Sequence, residues 1–274
     1  PGNACGEVTS MNDETKKRRP VLMALALSIL KIAVVSYIGI FIVVACSQSR
    51  YVYYPVKDVD ITPAYFKIPF EDVTYGTRDG ETISAWYVPA KGEKPVIIFC
   101  HGNGGNISHR IDHINALSKM GVGVLMFDYR GYGKSTGKPT EQGTYNDALG
   151  AWSYLAGEKK VQAGRIVVMG ESLGVSVATW LAGEVQPAGL IAESGFTSAP
   201  DMASKMFPYL PIGLLCTFKY NTVKMMEKVR CPVLVAHSPN DGMIPFEHGL
   251  KIFNAARDPK TFVEMKDSHN SGGM

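Results

Sequence analysis

The chain has 274 residues, 46% of them hydrophobic and 19% charged, which suits one folded domain of about 220 residues plus an appendage. Its net charge of +3 is too small to point to a nucleic-acid partner. The cysteines Cys5, Cys46, Cys100, Cys216 and Cys231 show no metal-ligand spacing, and no disulfide is required.

The first signal along the chain is the basic run Lys16-Lys17-Arg18-Arg19. Residues 21–46 follow it with a single charge, Lys31, and are long enough to cross a bilayer. Basic residues are dense before this stretch and sparse after it, where only Arg50 and Lys57 follow closely. The positive-inside rule then places segment 1–20 in the cytoplasm and the main domain on the other side. A second reading is a cleaved signal. The apolar run 32–45 ends in Val43-Val44-Ala45-Cys46, similar to the lipobox of bacterial lipoproteins, whose Cys becomes the lipidated N-terminus. Both readings, transmembrane anchor and lipoprotein signal, tether the domain to a membrane on its non-cytoplasmic side. Residues 1–10 fit neither device, so segment 1–20 is either cytoplasmic or in part non-native, with Met11 as a candidate start.

The folded domain runs from about residue 50 to 274. Alternating residues around Thr77-Arg78-Asp79-Gly80 predict a hairpin with strands at 70–76 and 82–88. Short apolar runs predict buried parallel strands at 95–100, 122–127, 165–169, 189–192, 232–236 and 261–265. Helical patterns fall between them, at 107–120, 144–156, 173–183 and 246–256. Strands alternating with helices mean an α/β fold with a mostly parallel central sheet. Segment 198–229 breaks the rhythm and is rich in Met, Phe, Pro, Tyr and Leu. It reads either as a short helical lid over a site or as ordinary helix packing.

Chemistry concentrates at Gly170-Glu171-Ser172-Leu173-Gly174, which lies between a predicted strand and a predicted helix. A Ser at such a turn is exposed on a strained backbone, and flanking glycines let the chain turn without clashes. The helix that starts there points its positive end at the place where an oxyanion would form. A Ser nucleophile needs a base, and the base needs an orienting acid, in the order Ser, acid, His on this type of fold. Only His237, His248 and His269 follow Ser172. His237 precedes the candidate acid, and His248 lies in a predicted surface helix. His269 follows the last strand, at the sheet edge where catalytic groups collect. For the acid, Asp241 directly follows a strand, and Glu193 is its rival. Asp267 is too close to His269, and Asp128 precedes the Ser and reads as structural. The oxyanion donors are expected to be the backbone N–H of Leu173 and, from the loop His101-Gly102-Asn103-Gly104-Gly105, that of Asn103.

These residues together resemble the α/β-hydrolase superfamily. More narrowly, the chain is similar to the Bem46-like group of membrane-anchored serine hydrolases, with its ABHD13- and ABHD17-type members. The matching pieces are His101-Gly102-Asn103, residues 128–133 (DYRGYG), residues 170–174, residues 195–198 (GFTS), residues 231–234 (CPVL), Asp241 with residues 244–245 (IP), and residues 268–270 (SHN). The resemblance implies an α/β-hydrolase fold, Ser172 as nucleophile, Asp241 as acid, His269 as base and no cofactor. The chain departs from the family at Ser238, where Gly is usual, and at Glu193, where a small or polar residue is commoner. The family also implies a helix after the His, so a sequence ending at Met274 reads as truncated.

The expected activity is that of a membrane-tethered serine esterase, lipase or thioesterase working through an acyl-enzyme, without metal or cofactor. A tether and an apolar lid suit an acyl-chain substrate, a lipid ester or an acylated protein. The alternatives are a peptidase of the same fold and a non-catalytic hydrolase-fold protein that binds a partner or serves as a scaffold.

Overall fold

The computed structural model describes residues 4–266. It contains two compact units, Pro1–Gln48 and Ser49–Met274. The first holds most of one long helix, α1 (Ala4–Val52). From Pro20 to Val52 this helix has a mean hydropathy of 2.5 in its most apolar window, of which 6% is buried. Leu22, Leu25, Ile29 and Ile32 are all more than half exposed. A helix that is apolar all round needs an apolar medium, and this one is long enough to cross a membrane by length and composition. The helix extends past the expected 21–46 stretch at both ends.

The second unit is built on an eight-stranded sheet. In chain order the strands are β1 (Glu71–Gly76), β2 (Thr82–Val88), β3 (Val96–Cys100), β4 (Gly123–Phe127), β5 (Ile166–Glu171), β6 (Gly189–Glu193), β7 (Val233–His237) and β8 (Lys260–Glu264). Their spatial order is β1-β2-β4-β3-β5-β6-β7-β8. Strand β2 runs antiparallel to both β1 and β4, and the pairs from β4 to β8 are parallel. This is the mostly parallel sheet with an N-terminal hairpin expected from the sequence. Residues at the centre of the sheet are apolar on both faces because helices cover both. Val96, Ile98 and Cys100 of β3 enter one core, and Ile97 and Phe99 enter the other.

The covering helices include α2 (Ile111–Lys119), α3 (Glu141–Ser153) and α4 (Leu173–Glu184). The expected helix at 107–120 begins as a 3₁₀ turn, Ile107–Arg110, because Asn106 caps Ser108 N–H. The helix expected at 144–156 starts earlier, at Glu141, where the Thr140 hydroxyl accepts Gly143 N–H at 3.0 Å. Segment 198–229 divides into α5 (Ala199–Met206), α6 (Ile212–Leu215) and α7 (Thr222–Met226). Met226 and Val229 join the main core, whereas no residue of α5 is buried. The last helix described is α8 (Phe246–Ala255).

Candidate active site

Strand β5 ends at Glu171, and α4 begins at Leu173, so Ser172 alone makes the turn between them. It does so at φ 54° and ψ −117° and is 7% exposed. A non-glycine residue at positive φ is strained by about 1–3 kcal/mol and persists only where its surroundings fix it. Here backbone packing fixes it. A Cβ at Gly170 would overlap the carbonyl of Gly174, and a Cβ at Gly174 would overlap the carbonyl of Cys100. Ser172 N–H donates to Glu193 O at 2.9 Å, which ties the turn to β6.

The loop after β3 is held equally firmly. Tyr129 donates its hydroxyl proton to His101 O at 2.9 Å, and Tyr132 donates to Asn103 O at 2.7 Å. Asn103 O also accepts Tyr54 N–H at 3.0 Å, and Asn103 Nδ2 donates to Val52 O at 3.0 Å. His101 is fully buried, and burial pushes its imidazole down to about 3. It therefore serves this loop as a neutral ring. Among the described residues neither Asn103 N–H nor Leu173 N–H has an acceptor. Both residues line the same cleft as Ser172. The cleft has a volume of about 640 Å³, and its lining carries no charged side chain among the described residues.

Asp241 follows β7 and is 8% exposed. Its Oδ1 accepts the N–H groups of Met243 at 2.9 Å and Ile244 at 2.8 Å, two residues that line the cleft. Its Oδ2 lies 3.5 Å from His237 Nε2. His237 Nε2 is 2.9 Å from Ile244 O, and a carbonyl can only accept, so this nitrogen carries the proton. His237 is fully buried and holds the Asp241 loop from behind. His248 is likewise committed, with Nδ1 2.9 Å from the Thr197 hydroxyl at the base of α5. His269 and Asp267 lie outside the described residues.

Glu193, the rival acid, does not line the cleft. It pairs in register with Glu171. Burial, and then the Glu171 charge, raises its carboxyl to about 7. Asp128 is fully buried and accepts Ile107 N–H at 2.9 Å, and burial raises it to about 7. It braces the turn after β3, in line with the structural reading.

Two features escaped the sequence. Arg110 Nε donates to Glu171 Oε2 at 2.8 Å, and its guanidinium lies against Gly102 beside Ser172. Tyr51 and Val52, at the end of α1, form part of the cleft wall. Nothing local in the sequence distinguishes Arg110 from other surface arginines, and only the fold brings residues 51–52 to the cleft.

A family model for the alpha/beta hydrolase fold matches residues 95–211. The alpha/beta hydrolase domain-containing protein WAV2 of Arabidopsis thaliana is 33% identical over 266 residues, covering 86% of this chain and 86% of its own length. Lysophosphatidylserine lipase ABHD12 of Rattus norvegicus is 32% identical over 238 residues, 74% of this chain and 58% of its own. Among solved structures, the Pyrococcus furiosus esterase Pf2001 superposes with a TM-score of 0.67 over 80% of this chain and 90% of its own, at 22% identity, which is a likeness of fold. With the sheet order, the turn at Ser172 and these relatives in agreement, the chain belongs to the alpha/beta hydrolase family.

Proposed function

We propose that the protein is a membrane-tethered serine hydrolase of the Bem46-like group that cleaves carboxylic ester or thioester bonds. One observation carries this reading: Ser172, held at positive φ, borders an apolar cleft together with Asn103 and Leu173, whose N–H groups have no acceptor among the described residues. In the reaction Ser172 Oγ attacks the carbonyl carbon while His269 takes the hydroxyl proton. The tetrahedral oxyanion is held by the N–H groups of Leu173 and Asn103. His269 passes the proton to the departing alcohol or thiol, which leaves an acyl-Ser172 ester. Water, deprotonated by His269, then releases the acid. Asp241 orients the imidazole and stabilises its charged form. The tether, either the retained helix or a lipid on Cys46, keeps the domain on the non-cytoplasmic side. The apolar lining and the relative that is a lipase favour an acyl-chain substrate, lipid-borne or protein-borne.

Fluorophosphonate labelling of the full chain, with Ser172→Ala as control, tests the reading. The wild type is expected to label and the variant to stay blank, with p-nitrophenyl ester turnover falling on the order of 10⁶-fold. A wild type that never labels would instead be a non-catalytic binder. Residual turnover above about a hundredth would remove Ser172 from the role of nucleophile.

A further inference from the structure

The mouth of the cleft is built from exposed apolar and aromatic side chains. Tyr51 is 40% exposed, Tyr54 50%, Met243 52% and Met206 58%, and all four line the cleft. Tyr209 is 89% exposed, three residues beyond Met206 in the loop between α5 and α6. Phe207 from the same loop meets Tyr51 edge to face, with ring centroids 5.5 Å apart. The loop after α5 and the end of α1 therefore form one continuous apolar rim. Contiguous exposed apolar surface marks a contact site. Tyrosine suits a place where one end of the side chain is apolar and the other is wet.

We infer that this rim lies in the membrane interface and that the substrate's acyl chain passes through it from the lipid leaflet to Ser172. The inference rests on the tethered-hydrolase reading above. Chain connectivity supports it. The apolar stretch ends at Cys46, and Tyr51, already part of the cleft wall, follows five positions later. These five residues are helical and advance about 7.5 Å, while the headgroup layer is itself roughly 5–8 Å thick. Whether residue 46 ends a spanning helix or carries a lipid, Tyr51 stays within reach of the interface. Among the described residues the cleft lining offers no charged group to hold a polar headgroup, so an acyl chain fits it and the headgroup stays in the wet layer.

The test uses the full chain in phosphatidylcholine vesicles. The native tryptophans Trp86, Trp152 and Trp180 are buried or half-buried, so a tryptophan at the rim reports separately. Tyr209→Trp is expected to be quenched by brominated phosphatidylcholine at least about twofold more than the wild type. Quenching by aqueous iodide but not by brominated lipid would put the rim in water. It would overturn the inference in favour of an acyl group delivered on a soluble protein. In the same vesicles Tyr209→Asp should lower turnover of a long-chain acyl ester about tenfold and leave p-nitrophenyl butyrate within about twofold, because Tyr209 does not line the cleft. Equal effects on the two esters, or none on either, would also overturn it. A wild type that turns over neither ester refutes the hydrolase reading instead, while the tryptophan experiment still decides where the rim lies.

Discussion

The turn at Ser172 and helix α5 border the same cleft but are stabilised in opposite ways. At the turn, backbone packs on backbone: Gly170 against Gly174, and Gly174 against the Cys100 carbonyl. Helix α4, which follows, is buried from Leu173 to Thr179. In α5 nothing is buried, and Met202, Ala203 and Met206 face the cleft as its wall. Close-packed backbone cannot give way to an added atom, whereas exposed methionines can change rotamer and accommodate different partners. Under the proposed function, one region fixes where the reaction occurs and the other selects what reaches it.

The largest effect should fall on the fixed side. Asp241→Asn is expected to lower kcat for p-nitrophenyl esters by about 10³- to 10⁴-fold, because an Asn in this place favours the wrong imidazole tautomer. Glu193→Gln should leave kcat within about tenfold. The reverse order would move the acid to β6 and dissolve the distinction drawn between the two carboxylates. Next in size is Gly174→Ala, whose methyl group has no space beside the Cys100 carbonyl. A loss of about 3 kcal/mol or more in urea unfolding is expected. A tolerated alanine would mean that the turn is as adaptable as α5. On the α5 side, Met206→Ala should shift the urea midpoint little. It should lower kcat/KM for long-chain esters about tenfold relative to butyrate, since its side chain lines the cleft and is 58% exposed. A large loss of stability there would make α5 a core element.

The difference between these regions also explains what could be read in advance. The parallel strands announce themselves because both faces are apolar, as in β3 and β4. The turn is legible because only glycine tolerates the contacts at 170 and 174, so geometry leaves a mark in residue type. The wall made by Tyr51 and Val52 leaves no such mark. It depends on Asn103 reaching Val52 O across 51 positions of chain. Segment 198–229 is ambiguous in sequence for a related reason. Its apolar residues serve two purposes, with Met226 in the core and Met206 in the cleft, and composition does not separate them. The Arg110–Glu171 pair joins residues 61 positions apart and could not be seen from either side alone.

The smallest effect concerns Glu193, which sits under the turn without lining the cleft. Burial and the adjacent Glu171 raise its carboxyl from the ordinary 4.5 to about 7. Between those two values the native state keeps a proton that the unfolded chain has lost. The native state binds more protons there, so Glu193's contribution to stability falls as pH rises from about 4.5 to 7, and its full cost is present above 7. Asp128 and Asp147 are also raised by burial, to about 7 and about 6, and act in the same direction. They are common to wild type and variant, so a difference measurement cancels them. Glu193→Gln removes the charge but leaves the backbone carbonyl that accepts Ser172 N–H. Relative to wild type, the variant should therefore gain on the order of 1–2 kcal/mol more at pH 8 than at pH 4.5. Urea titrations of both proteins at the two pH values measure this. A pH-independent difference would show that Glu193 ionises normally, and a gain confined to acid pH would reverse the sign. In either case the half-buried Glu193 carboxyl would not be the source of strain that its surroundings imply.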